Sequence, residues 1–218
     1  MITKNMQQMQ GGGHPGLEDQ RRLGMSKENT TGRTLRLPKG AHRLAVTMDT
    51  WEAIRARRDV RSYTDQPIAP ADLDRILESA RRAPSSSNEQ RWDFVVCTER
   101  RRLQDLAKVW RHGGHVATSA VTIALVVPDA ADAYTRESIQ FDLGQAAMSI
   151  MLAAADLGIG SGHSVVEDQG RARRILGLPD DRFCALLIPL GYPADRPLHP
   201  IRRPNRRPFN EVVHRERW

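Results

Sequence analysis

The 218-residue chain has two cysteines, Cys97 and Cys184, far apart and without C-x-x-C spacing. Both sit in apolar runs that read as strands, so buried free thiols are expected rather than a redox pair or a metal clip. No run of eighteen apolar residues occurs and no basic n-region with an apolar h-region opens the chain. Membrane insertion and export are therefore not expected, and the cytoplasm is the default. Residues 1–47 lack any sustained apolar period and contain Gly11-Gly12-Gly13. Such a segment buries too little surface to offset ordering entropy, so a disordered tail is expected ahead of one domain, residues 48–218. Met48 directly precedes the first helical pattern, which leaves a native tail, an expression remnant or a misread start all open. That tail holds eight Lys/Arg against three Asp/Glu, a surplus of five out of the formal +7. The basic run Arg202, Arg203, Arg206 and Arg207 is broken by Pro204 and Pro208 and lacks interleaved aromatics. A stacking platform for single strands needs such aromatics, so no nucleic-acid partner is expected.

What is present from Met48 onward alternates helices and strands. Thr50–Arg57 reads as a helix with Trp51, Ala53 and Ile54 at helical spacing, and Pro70–Arg82 as one with Leu73, Ile76, Leu77 and Ala80 on one face. Asp93–Thr98 reads as a strand, Arg100–Arg111 as a basic amphipathic helix, Val121–Val127 as an apolar strand, Asp168–Leu176 as a helix and Phe183–Pro189 as a strand. Gln140–Leu157 is apolar on nearly every face. A helix of that kind is buried on all sides. In so small a domain, a second copy of the chain is expected to cover part of it, with Phe141, Met148 and Met151 in core and dimer packing.

Two stretches carry the chemistry. Arg57-Arg58-Asp59-Val60-Arg61 puts three guanidiniums in five residues, and the planar, permanently charged fork of Arg suits bidentate phosphate recognition. Ala83-Pro84-Ser85-Ser86-Ser87-Asn88-Glu89-Gln90-Arg91-Trp92 lines up hydroxyls and amides suited to a ligand with many acceptors. Each has a bland reading: an Arg triplet on a helix is most often a solvated face, and a serine run is most often a polar turn. Other motifs fall away. Gly158-x-Gly160-x-Gly162 follows a helix, whereas a dinucleotide fingerprint follows a strand. His112 and His115 lack a third metal ligand, so no metal site is expected and surface or ligand-edge positions are. Ile159 stands where a nucleophile elbow needs Gly.

The order of elements, R-R-x-x-R on the first helix, A-P-S-S-x-N-x-Q-x-W after the second, and the apolar helix closing in L-G-x-G together resemble the flavin-dependent nitroreductase family over Met48 to about Val213. The resemblance implies an α+β, three-layer fold with a mixed or antiparallel central sheet flanked by helices, in an intertwined homodimer holding FMN at the subunit interface. It implies an oxidoreductase taking hydride from NADH or NADPH and passing it to a nitroaromatic, quinone or similar conjugated small-molecule acceptor in ping-pong order, with no catalytic side chain. Carried over by residue, Arg57 and Arg58 hold the FMN phosphate and ribityl chain, with Asp59 in the same motif, and Arg61 stands beside the pyrimidine end of the ring. Pro84, Ser85, Ser86 and Asn88 form the loop laid against the flavin by the partner. Arg206 with Arg207 closes on the phosphate, and the backbone at His163, Ser164 and Val165 approaches N5.

The chain also departs from the family. Asp59 replaces a usual Ser, as in the dimethylbenzimidazole synthase branch, where the flavin itself is broken down; that flavin-destructase activity is the alternative, beside a flavin-binding protein with little turnover. Arg91 stands where the family has Pro, and Val165-Val166-Glu167 lacks the usual glycines.

Overall fold

The first helix, α1 (Thr50–Ala56), starts on a capping box in which Asp49 Oδ1 accepts from Glu52 N at 2.7 Å and Glu52 Oε2 reaches back to Asp49 N. This computed structural model describes residues 48–218; the expected tail, 1–47, lies outside the described residues. α1 buries Ala53 and Ala56, whereas Trp51 and Ile54, which share the helical spacing with Ala53, are exposed at 63% and 48%. Helix α2 (Pro70–Arg81) has Pro in its first turn and buries Ile76 and Ala80, with Leu73 and Leu77 packed beside them.

Four strands follow among the described residues: β1 (Asp93–Cys97), β2 (Val121–Pro128), β3 (Gly160–Ser161) and β4 (Arg182–Gly191). They pair antiparallel in the order β1-β2-β4-β3, with a bulge in β4 opposite Leu125/Val126. The alternation of a strand sends Val121, Ile123, Leu125 and Val127 to one face, where α2 and α4 cover them. Ala124, with Cys97, Cys184 and Leu187, goes to the other face under α3 and α5. Both faces are buried, so the α+β three-layer arrangement is observed, and Cys97 and Cys184 are buried free thiols as expected.

Several boundaries differ from the expected ones. The basic helix α3 (Arg100–Leu106) stops short of Arg111 and continues as a single 3₁₀ turn, Ala107–Val109. The chain then folds back so tightly that a Cβ at Gly113 would lie 2.5 Å from Ala107 O, leaving no room for another turn. Helix α4 (Ala133–Asp156) begins seven residues before Gln140 because Asp132 caps it, accepting from Thr135 N at 2.8 Å. It is not buried all round in the single chain: Met151 is core, but Phe141 and Met148 are 70% and 44% exposed. Helix α5 (Gln169–Leu176) is capped by Asp168 and closes on Gly177 at φ 67°. No helix of the described residues is long and apolar enough to cross a membrane.

Tyr63 ties the segment after α1 to the sheet: its buried hydroxyl donates to Val60 O at 2.7 Å, with Pro189 O 3.1 Å away as a second acceptor. Replacing Tyr63 with Phe keeps the ring and removes those contacts. The expected loss is about 1–2 kcal/mol, read from denaturant unfolding midpoints at unchanged slope.

Candidate functional site

The arginine motif is not on the first helix. Arg57 caps α1 with ψ 127°, and the chain leaves as an extended segment whose Asp59 bridges Ser161 of β3 in parallel, with Val60 N donating to Ser161 O at 2.8 Å. The reason lies in the glycines. A Cβ on Gly160 would sit 2.7 Å from the Val60 side chain, and one on Gly162 2.7 Å from Val60 O. The G-x-G-x-G run thus admits the backbone of the arginine motif against the sheet edge, a role that spacing alone did not reveal.

Side chains alternate along this extended segment. Arg57 Nη1 donates to Asp59 Oδ1 at 2.9 Å, and the same oxygen lies 3.5 Å from His163 Nδ1. The His163 ring is the largest influence holding the Asp59 carboxyl below its ordinary value, although 3.5 Å is long for a hydrogen bond; burial opposes it and the Arg57 charge adds to it. Arg58 goes elsewhere. It donates to Asp195 Oδ1 at 2.7 Å and to Arg196 O at 2.9 Å, walling a cleft of about 250 Å³ with Arg196, His199 and Arg202. Arg61 is exposed beside Val60.

His163 is held from behind by His115, which is 7% exposed, so of the two positions expected for it, surface or ligand edge, the surface one is excluded. His115 Nε2 lies 3.2 Å from His163 O, and a carbonyl only accepts, so Nε2 carries the proton. Burial lowers the His115 pKa, the His163 bond opposing it. Trp110 meets the His115 and His112 rings edge-on. Ser164 is fully buried and exchanges both backbone hydrogen bonds with Leu187, so any N–H this stretch offers a ligand comes from His163 or exposed Val165. Tyr63 is the residue that motif reading missed here; only its close neighbours in space mark it.

The serine loop is bonded elsewhere. No hydrogen bond or ion pair joins Pro84–Asn88 to Arg57–Arg61 among the described residues. Ser85 Oγ accepts from Gln90 N at 3.0 Å, the Ser86 N–H donates to Asp142 Oδ1 at 3.0 Å, Pro84 and Asn88 are exposed, and Arg91 pairs with Glu89. Arg206 donates only to Asn205 O, and Arg207 pairs with Glu211. The cluster brought together is therefore Arg57, Asp59 and His163, whereas Ser164 is committed to Leu187. Among the described residues, no three His, Cys, Asp or Glu side chains converge to hold a metal.

The nitroreductase family model matches residues 54–113 and 107–192. A protein of Archaeoglobus fulgidus, described provisionally as an NADH dehydrogenase/NAD(P)H nitroreductase, is 31% identical over 169 residues, spanning 76% of this chain and 96% of that protein. An FMN reductase [NAD(P)H] of Bacillus subtilis is 26% identical over 185 residues, 74% of this chain and 71% of the relative. A solved structure from Clostridium acetobutylicum, described provisionally as an NADH oxidase, superposes with a TM-score of 0.68 at 24% identity, covering 76% of this chain and 99% of that one, which speaks to the fold alone. The chain belongs to the nitroreductase family.

The Asp59 cluster carries a pH signature. A depressed carboxyl pKa contributes stability that is fully present above the ordinary value of 3.8 and is lost as pH falls through the depressed value. The thermal-stability advantage of the native chain over Asp59→Asn is expected to be present at pH 5–7 and to vanish in acid, as followed by calorimetry across pH; an advantage that instead grew in acid would contradict the assignment.

Proposed function

We propose that this protein is an FMN-dependent NAD(P)H oxidoreductase acting on a nitroaromatic, quinone or similar conjugated acceptor, with each site completed by a second copy of the chain. The observation that carries the reading is the cationic segment Arg57–Arg61 fixed along β3 directly beside His163–Val165. Its donor set fits an FMN: guanidiniums suit a phosphate, and backbone at a sheet edge suits a flat ring with acceptors on its rim. When bound, FMN supplies two-electron chemistry, receiving a hydride from NAD(P)H and passing it to the acceptor in ping-pong order.

The chain's own residues then have defined tasks. Arg57 holds the phosphate and ribityl end, and Asp59 orients Arg57 through its 2.9 Å contact while keeping His163 in place. Arg61 puts positive charge beside the pyrimidine edge, where negative charge develops on reduction. Arg58 anchors the 195–196 segment and so shapes the rim of the site. An amide of His163 or Val165 orients the reacting edge.

The second copy answers two features. Tyr134, Phe141 and Met148 recur every seven residues on the outer face of α4, with Gly144 among them and nothing within 4 Å of where its Cβ would stand. Trp51 and Ile54 of α1, which packs on α4, extend the apolar surface. A glycine inside a helix costs about 1 kcal/mol relative to Ala, and no neighbour among the described residues requires it. A partner helix crossing there does. The Pro84–Asn88 loop and Arg206 and Arg207, which share no hydrogen bond or ion pair with Arg57 among the described residues, are the groups such a partner brings.

Two measurements test this. Purified protein is expected to be yellow with FMN and to bleach anaerobically with NADH or NADPH, re-oxidising with a quinone; a flavin-free chain after reconstitution refutes the reading, and a flavin consumed during re-oxidation points to the destructase chemistry instead. Phe141→Arg is expected to convert a dimer to monomer in sedimentation equilibrium and to weaken FMN binding at least about tenfold, since a charge cannot be buried at that face without a partner.

A further inference from the structure

Asp142 is an acid inside the most apolar helix of the chain. It is 1% exposed, flanked by Phe141 and Leu143, and among the described residues no Lys or Arg pairs with it. Its carboxylate is engaged by one residue. Ser86 N lies 3.0 Å from Oδ1 and 3.1 Å from Oδ2, and Ser86 Oγ lies 3.3 Å from Oδ1. A buried carboxylate is costly, and an apolar side chain of similar size generally stabilises a core more. A helix serving only to pack would carry Leu or Ala here.

What the carboxylate holds is an unusual piece of backbone. Just after Ser86, the non-glycine residues Ser87, Asn88 and Gln90 have φ of 50°, 55° and 50°, in the left-handed region. Such conformations persist when surrounding contacts over-determine them. Downstream, Trp92 is buried in the core against Phe94. Upstream, Ala83 is buried at the end of α2. Between these fixed ends the Ser86 amide and hydroxyl contacts to Asp142 join the loop to α4, while Asn88 and Ser87 point outward, exposed.

We infer that Asp142 is the positioning residue of the Pro84–Asn88 loop: its carboxylate, aimed at the Ser86 amide from the central helix, fixes the strained turn and so sets where Ser85, Ser87 and Asn88 meet the FMN. This rests on the flavin reading above. It goes beyond it by assigning a role to a residue that touches neither FMN nor substrate. The same helix carries the outward apolar stripe on one face and Asp142 on another, so α4 couples the proposed dimer contact to the loop geometry through one rigid element.

The test uses the full chain and three measurements: FMN titration by fluorescence quenching, the visible absorption and circular dichroism of bound FMN, and hydrogen exchange of peptides covering 84–92. Asp142→Asn keeps the shape and one acceptor oxygen but loses the charge and turns the other position into a donor facing the Ser86 N–H. Ser86→Pro removes the amide donor itself at the first position of a 3₁₀ turn, after an extended Ser85, where Pro is tolerated. Both are expected to raise exchange in 84–92 with β2 and β4 peptides unchanged, to weaken FMN binding about tenfold, as for one lost charge-assisted hydrogen bond, and to shift the flavin spectrum. A loop that stays protected in both variants overturns the inference, as does one that opens with FMN affinity and spectrum unchanged, and in the latter case the flavin reading stands. Failure of the unaltered chain to take up FMN removes both.

Discussion

A hydrogen atom is the only side chain that fits at positions 160 and 162, because Val60 and its carbonyl occupy the space where a Cβ would stand. That close approach sets most of the site. It lets Arg57–Arg61 run along β3 as an added strand, and Tyr63 locks the arrangement by bonding Val60 O and reaching Pro189 O. Once the segment lies there, alternation in extended backbone directs Arg57 and Asp59 toward His163 and sends Arg58 to the 195–196 segment. A larger residue at either glycine displaces the whole cationic motif, not one contact.

Helix α4 is the second organising element. Its inner face completes the core over β2 and β4, and its outer face leaves Tyr134, Phe141 and Met148 in water in a single chain. Exposed large apolar groups in register on one helix mark an interaction surface more than a tolerated accident. Asp142 shows that such a helix also carries polar information inward. One carboxylate in an apolar environment specifies a loop conformation more sharply than packing does, because a misplaced partner leaves it unsatisfied.

Much of the fold was legible from periodicity. β2 reads as a fully apolar run because helices cover both sheet faces, and α2 shows its inner stripe at Leu73, Ile76, Leu77 and Ala80. The misreadings have physical causes. In α1, Trp51 and Ile54 obey helical spacing yet face outward, since the pattern of apolar residues does not say whether the covering surface belongs to the same chain. The α4 start was hidden because Ala133–Ser138 buries no apolar side chain, and only the Asp132 cap marks it. β3 has two residues, too short for any period to register. For His115 the sequence left surface and ligand-edge positions both open, and the fold-back at Gly113 decides between them by tucking the ring under His163.

Residue chemistry is local, and the sequence by itself determined it: three guanidiniums in five residues, a hydroxyl-rich loop, alternating elements of α+β type, and family membership legible in their order. Tertiary structure decided what these groups do to one another, because contacts between residues a hundred positions apart depend on clearance and direction that no spacing encodes. It gave a glycine run already set aside as a ligand motif a role as a strand seat, divided the arginine triplet between two neighbours, buried His115 behind the site, and joined Asp142 to Ser86 across 56 residues.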